Sequence, residues 1–377
     1  MTAGDDTGDT ARSEATCPDR VLEALREDVA GTLASRANQL GWPLPCGDGL
    51  LFVHAEGGDW SLAGDFDGWE GQPMNREDGF SWLVADATGA YKFTDGTDWL
   101  ADPWARRYGY DEFGEMSYAT ADGAHLERLF EVEGDGIPAR TLRVWVPAGE
   151  ATHVLYAHDG QNLFDLNAFW GGWRLDESVP DGMLVVGIDN GPARMDEYTH
   201  VEDVIDGTTY GGDGDLYAAY VQDAVRPLVA EVYGEPATVG LMGSSLGGLI
   251  SFHVADRHPG EYAFAASLSG TMGWGSIGSH NETMIERYAA AGLRDTALYL
   301  DSGGGGTCYD ADGDGIMDDD PDAADNYCEN VQLRDVLADA GYQFEVDLWH
   351  WHEPGAEHTE AAWGDRVWRP LEIFAGL

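Results

Sequence analysis

Lysine is nearly missing from this chain: Lys92 is the single one in 377 residues. Arginine does not make up the loss, because Lys and Arg together number 20 against 69 Asp and Glu, a formal net charge of -49. A surface of that sign repels phosphate backbones and anionic headgroups, so nucleic acid and acidic membranes are excluded as natural partners. Strongly anionic substrates are disfavoured as well, unless arginines gather locally, and a saline setting that screens the self-repulsion would suit the chain. Long apolar runs are lacking, so no membrane span is expected. The start lacks the basic-then-apolar pattern of an export signal. It is small, polar and acidic (Gly4, Asp5, Asp6, Thr7, Gly8, Asp9), and reads as a disordered leader from which an export signal has been trimmed. Cysteines number four and form no Cys-x-x-Cys, which argues against zinc and thioredoxin-type chemistry. They fall into two sequence-local pairs, Cys17–Cys46 and Cys308–Cys328. Both are expected as disulfides, which places the protein in an oxidising compartment: secreted, periplasmic or at the cell surface.

What is present divides the chain in three. Residues 1–48 should hold the leader and one helix, since Val21, Leu22, Leu25, Val29 and Leu33 keep helical spacing before Gly41, Pro43 and Pro45 stop it. Cys17 and Cys46 bracket that segment. Residues 49–120 carry short apolar runs at 51–55, 60–63, 80–85 and 90–94, parted by Gly57-Gly58-Asp59, Asp67-Gly68, Asp78-Gly79 and Asp95-Gly96. That pattern predicts a small all-β, immunoglobulin-like sandwich. A linker is expected at 121–126, within the region 121–377. There, apolar runs (142–146, 154–157, 183–188, 238–242, 263–268, 297–300, 344–349) alternate with helix candidates (215–233, 246–258, 281–291, 326–340, 360–375). The alternation predicts an α/β fold with a mostly parallel sheet covered on both faces.

Gly243-Ser244-Ser245-Leu246-Gly247 joins one of those strands to one of those helices. A serine on a strand-to-helix turn needs small neighbours, because the backbone is strained and the helix packs close; the helix start behind it favours developing negative charge. Ser245 is therefore the candidate nucleophile. Its base should be a histidine late in the chain, in a loop after the last strand. His350 and His352 sit at the end of an alternating strand; His358 lies in the loop before a helix and fits the position best. The acid should follow the strand around Leu298–Leu300, where Asp301, Asp322 and Asp325 compete. Oxyanion donors are expected from the amide of Leu246 and from that of Gln161, in the turn after the strand Val154–Ala157, with Gly160 permitting close approach.

Two resemblances add to this reading. Leu62-Ala63-Gly64-Asp65-Phe66-Asp67-Gly68-Trp69, Gly89-Ala90-Tyr91-Lys92-Phe93, Asp95-Gly96, Trp99 and Asp102-Pro103 resemble the glycogen-binding-type β-sandwich module. In its glucan-binding members the positions held here by Trp69, Lys92 and Trp99 contact sugar; indole faces stack on C–H surfaces and an ammonium donates to hydroxyls. The second rests on Tyr156-Ala157-His158-Asp159-Gly160-Gln161-Asn162-Leu163-Phe164-Asp165, on Asp189-Asn190-Gly191 with Arg194 and Glu197-Tyr198-Thr199, on the Ser245 motif, and on His358 with Glu360 and Trp363. From about 127 to 377 the chain resembles the enterochelin-esterase-like, or esterase D-like, α/β-hydrolases, relatives of feruloyl esterases. The resemblance implies an α/β-hydrolase fold, Ser245 and His358 as nucleophile and base, and Leu246 and Gln161 as oxyanion amides. In many relatives an Asp-Asn-Tyr tripeptide opens the helix after the acid loop; Asp325-Asn326-Tyr327 matches it, which implies Asp325 as the acid.

The chain departs from that family at 308–328. Tyr309-Asp310-Ala311-Asp312-Gly313-Asp314-Gly315-Ile316-Met317-Asp318 alternates aspartates like a calcium loop. Asp310, Asp312, Asp314 and Asp318 are candidate side-chain ligands and Ile316 a carbonyl ligand, with Asp320 or Asp322 completing the shell. Pro321 stands where an EF-hand needs glutamate, so the likeness is to thrombospondin- or dockerin-type loops. Structural calcium and the Cys308–Cys328 bridge are expected to hold Asp325 towards His358. The leading functional expectation is a secreted serine carboxylesterase acting on feruloyl- or acetyl-type esters of polysaccharide, with Phe169, Trp170, Trp173, Trp274 and Trp363 as candidates for an acyl pocket. An enterochelin-type siderophore lactone esterase and a catalytically silent glycan-binding protein are the alternatives.

Overall fold

The computed structural model describes residues 17–39, 41–234, 236–278 and 280–377. The expected leader falls largely outside the described residues. The chain forms two units: one takes the described residues up to Arg106 with Ser117–Thr120, the other Arg107–Met116 with Ala121–Leu377.

In the first unit the expected single helix is two, Asp19–Glu27 and Val29–Gln39. Asp28 breaks it: its backbone is extended, and its carboxylate accepts from the amide of Gly31 at 3.0 Å, capping the second helix. Cys17 is bonded to Cys46. The strand Leu44–Cys46 pairs with Gly49–His54, so no boundary falls at 48. Gly49–His54 and Ser81–Ala85 belong to one antiparallel sheet; Ser61–Gly64 and Ala90–Thr94 belong to another. Their inner faces meet in one core, where Phe52 and Ala85 pack with Leu62, Tyr91 and Phe93.

The second unit is built on one large sheet. Six strands run parallel, in the order Leu348–His352, Ala297–Ser302, Phe264–Leu268, Thr238–Ser244, His153–His158, Met183–Ile188. Ile137–Val146, His125–Gly134 and Arg107–Asp111 extend it antiparallel. Successive side chains of a strand face opposite layers. Val154, Tyr156, Val186 and Leu241 join the core under Leu249, Phe252 and Leu333; Leu155, Ala157, Val185 and Met242 join the core under Trp173, Leu371 and Phe374. This is the doubly covered sheet of the α/β-hydrolase fold.

Four further expectations change. The linker at 121–126 is already strand from His125. Arg107–Asp111, expected in the sandwich, pairs with that strand, because buried Tyr108 belongs to the second unit's core. The last strand begins at Leu348 rather than Phe344: the carbonyl of Gln343 accepts the amides of Val346, Asp347 and Leu348, a turn that leaves Phe344 and Val346 exposed despite their alternation. The candidate helix 360–375 is also two, Glu360–Gly364 and Trp368–Ala375.

Candidate active site

The strand Thr238–Ser244 passes into the helix Leu246–Arg257 through Ser245, whose backbone is held at φ 55°, ψ -126°. Left-handed backbone in a non-glycine residue costs about 1–3 kcal/mol and persists only where the surroundings enforce it. Here the Ser245 amide donates to Leu268 O at 3.0 Å, while its carbonyl accepts from Gly248, Leu249 and Thr271. The glycines are a packing requirement. A Cβ on Gly243 would strike the backbone of Gly247, and one on Gly248 would strike the Ser267 side chain.

Ser245, Ser269 and His358 follow the C-terminal ends of parallel strands and Asp301 lies in the last two residues of one, so one edge of the sheet collects them. His358 Nδ1 lies 2.6 Å from Asp325 Oδ1, and the Asp325 side chain is fully buried. A carboxylate there keeps the ring proton on Nδ1 and leaves Nε2 as the basic nitrogen. The second oxygen of Asp325 accepts from Ser269 Oγ at 2.7 Å and from the Gly303 amide. Ser269 Oγ in turn accepts from Arg366 Nη2 (2.6 Å) and from Trp363 Nε1 (3.1 Å). Arg366, itself buried, also donates to Asp301 at 3.0 Å. Burial lifts the Asp301 carboxyl to about 6 against the pull of Arg366. Of the competing residues, then, Asp301 faces an arginine and a tyrosine (Tyr299) rather than an imidazole. His350 and His352 lie within the outermost parallel strand, where His352 stacks on Tyr327.

The strand His153–His158 ends beside the nucleophile strand, and its turn carries Gln161 in a short 3-10 segment, Gly160–Asn162. Both Gln161 and Leu246 lie in first turns, whose amides have no acceptor inside their own helix. The turn is braced from all sides. Asp159 takes both arms of Arg194 (2.7 and 2.8 Å) and Asn190 Nδ2 (2.5 Å), and its amide donates to Tyr198 Oη. Gln161 Oε1 accepts the amide of Asn190 at 3.1 Å. Glu197 is clamped by buried Arg140 through two 3.0 Å bonds. The residues around Asp189-Asn190-Gly191 and Glu197-Tyr198-Thr199 thus frame the turn that carries Gln161.

The Esterase family model, described as "putative esterase", matches residues 139–370, more than half of the chain. The chain belongs to that esterase family. The uncharacterized protein YbbA of Bacillus subtilis (strain 168) is 32% identical over 150 residues, which cover 35% of this chain; the chain spans only 57% of that relative's length. Among solved structures, the enterobactin esterase FES of Shigella flexneri is similar at 13% identity and TM-score 0.49, over 87% of this chain and 93% of that one. MPT51 (FbpC1) of Mycobacterium tuberculosis is similar at 14% identity and TM-score 0.47, over 67% and 98%.

The other candidate sites in the esterase are only partly assembled. One carboxylate oxygen from each of Asp310, Asp312 and Asp314 falls within 4.8 Å of the others. Asp318 accepts from the Ala311 amide at 2.8 Å, and among the described residues neither it nor Asp322 joins that group of carboxylates; the side chain of Ile316, named for its carbonyl, packs in the core. Asp319, which sequence reasoning passed over, receives the amides of Asp325 (3.2 Å), Tyr327 (3.0 Å) and Cys328 (2.6 Å). Cys308 is bonded to Cys328. In the sandwich, Trp69 and Trp99 come together with ring centroids 6.0 Å apart, and Trp99 is 45% exposed. Lys92 is 5% exposed and lies on the same face of its strand as Thr94, the register partner of Trp99. Of the acyl-pocket candidates, Trp173, Trp274 and Trp363 are core residues, while Phe169 and Trp170 stand exposed with rings 4.5 Å apart. Ser269 and Arg366 are not legible in the sequence because a lone serine or arginine carries no motif; only burial reveals them.

Proposed function

We propose that the esterase is a secreted serine carboxylesterase working through an acyl-enzyme, with Ser245 as nucleophile, His358 as general base and Asp325 as the acid that orients it. The observation that carries the reading is the 2.6 Å His358–Asp325 bond at the same sheet edge as the strained Ser245 turn. In the first step His358 Nε2 takes the hydroxyl proton as Ser245 Oγ bonds to the ester carbonyl carbon. The amides of Leu246 and Gln161 receive the oxyanion, and the imidazolium returns the proton to the departing alcohol. Water then repeats the sequence on the acyl-enzyme and frees the acid. An aromatic, hydroxycinnamoyl-type acyl group suits the exposed Phe169–Trp170 pair: the loop bearing it closes back on the oxyanion turn through the amide of Trp173 to Asn162 O (3.0 Å). The Trp69–Trp99 pair supports a sugar-linked substrate, and the two disulfides support an oxidising compartment. Calcium on Asp310, Asp312 and Asp314 is part of the proposal, as a structural ion only.

The test is a panel of feruloyl and acetyl sugar esters beside a catecholate siderophore lactone, assayed with wild type and Ser245→Ala. The expected result is turnover of the sugar esters, abolished in Ser245→Ala together with phosphonate labelling. Preferential turnover of the lactone would replace the substrate class. Unchanged turnover in Ser245→Ala would remove the triad.

A further inference from the structure

Asp159, Asp301, Asp325 and Glu360 are buried carboxyl groups around the candidate site. Asp159 faces Arg194, Asp301 faces Arg366, and Asp325 faces the His358 ring. Glu360 is different. Among the described residues it is in no ion pair; its Oε1 accepts from Asn162 Nδ2 at 2.7 Å, and its Oε2 is buried with no hydrogen-bond partner. The residue is 7% exposed. It opens the short helix Glu360–Gly364, two positions after His358, and the residue it holds is the one after Gln161. Glu360 thereby joins the segment that carries the base to the turn that carries an oxyanion amide.

We propose that Glu360 is a positioning residue that works as the neutral acid: it ties Asn162 to the histidine segment while keeping a further negative charge away from the developing oxyanion. The inference rests on the serine-esterase reading above. The charged and titratable groups facing Glu360 are Asp159 from the oxyanion turn, Arg194 from the helix Arg194–Glu197, and His358 from its own loop. Burial and Asp159 push its carboxyl up to about 7, against the Asn162 bond, Arg194 and His358. The sign follows. Below that value the proton is present and the site is intact. Above it, an anion beside the Gln161 turn opposes the developing oxyanion, which slows acylation.

The experiment measures kcat and KM for 4-nitrophenyl acetate on the full chain, from about pH 5.5 to 9, for wild type, Glu360→Ala, Glu360→Gln, Asn162→Ala and the Glu360→Ala/Asn162→Ala pair. Wild-type kcat should fall about tenfold between roughly pH 6.5 and 8.5. Glu360→Ala should lower kcat at about pH 6.5 by roughly tenfold with KM within about twofold, and Asn162→Ala should do the same with no further loss in the pair. Glu360→Gln, which keeps the acceptor but cannot ionise, should recover most of that rate and remove the alkaline fall. A Glu360→Gln profile that falls in parallel with wild type, or full activity in Glu360→Ala, overturns the proposal. Loss of activity in Ser245→Ala alongside either result shows that the triad reading survives without it.

Discussion

Asp301 and Asp325 are both buried at the end of the sheet, and what separates them is the group each one faces. Asp301 closes an ion pair with Arg366, whereas Asp325 bonds the His358 ring at 2.6 Å. Substitution should therefore affect them in different ways. Asp325→Asn keeps the shape but lets the ring proton move to Nε2, so kcat should fall about 10⁴-fold with the fold intact. Asp301→Asn weakens a buried ion pair and should cost about 3–5 kcal/mol of stability while kcat, measured well below the melting point, stays within about tenfold. Equal losses of kcat in the two variants would overturn the assignment. Position along the chain does not separate these aspartates, one at the end of a strand and the other in the loop that follows it; the match of Asp325-Asn326-Tyr327 to the family pattern is what favours Asp325 in the sequence. Ser245 was legible because its chemistry needs small neighbours at fixed spacing, and a local pattern records that need. Arg366 was not legible: its role comes from being enclosed beside Ser269 and Asp301, which lie 97 and 65 residues away in the chain.

Elements with a pure pattern were read well, and mixed ones were not. The buried parallel strands are continuous apolar runs, as doubly covered strands must be. The hairpin strand His125–Gly134 was missed because Glu127, Arg128 and Glu131 interrupt it, although Glu127 and Arg128 are buried and salt-bridged. The acid loop shows the same limit. Its alternating aspartates suggest a six-residue metal shell; among the described residues the carboxylates of Asp310, Asp312 and Asp314 gather, and Asp319 caps the helix Tyr327–Ala340. That cap holds the amide of Asp325 itself. Asp319→Ala should cost about 1–2 kcal/mol, the range of a lost helix cap, and lower kcat more than KM because the acid loses its anchor. A chelator should lower the wild-type melting midpoint if the three carboxylates hold calcium. An unchanged midpoint would remove the ion and leave the cap argument standing; an unchanged kcat in Asp319→Ala would remove the link between this loop and the site.

Over the whole molecule the dominant fact is charge. At -49, with 69 acidic residues, the protein surrounds its catalytic edge with a field that repels anions. The basic groups nearest the site do not offset it, because Arg194 is occupied by Asp159 and Arg366 by Asp301. Neutral esters should approach without hindrance and anionic ones against a barrier. The Debye length shrinks from about 10 Å at 0.1 M salt to about 3 Å at 1 M, which would screen most of that barrier. For an ester carrying a carboxylate or a ferric catecholate, kcat/KM should therefore rise severalfold between about 0.05 and 1 M salt, while for 4-nitrophenyl acetate it should change by less than about twofold. Measuring both well below the melting midpoint keeps any salt-driven gain in stability out of the comparison. A high kcat/KM for the anionic ester at low salt, falling as salt is added, would mean that a local cluster of arginines attracts it, and would turn the choice of substrate back towards the siderophore lactone.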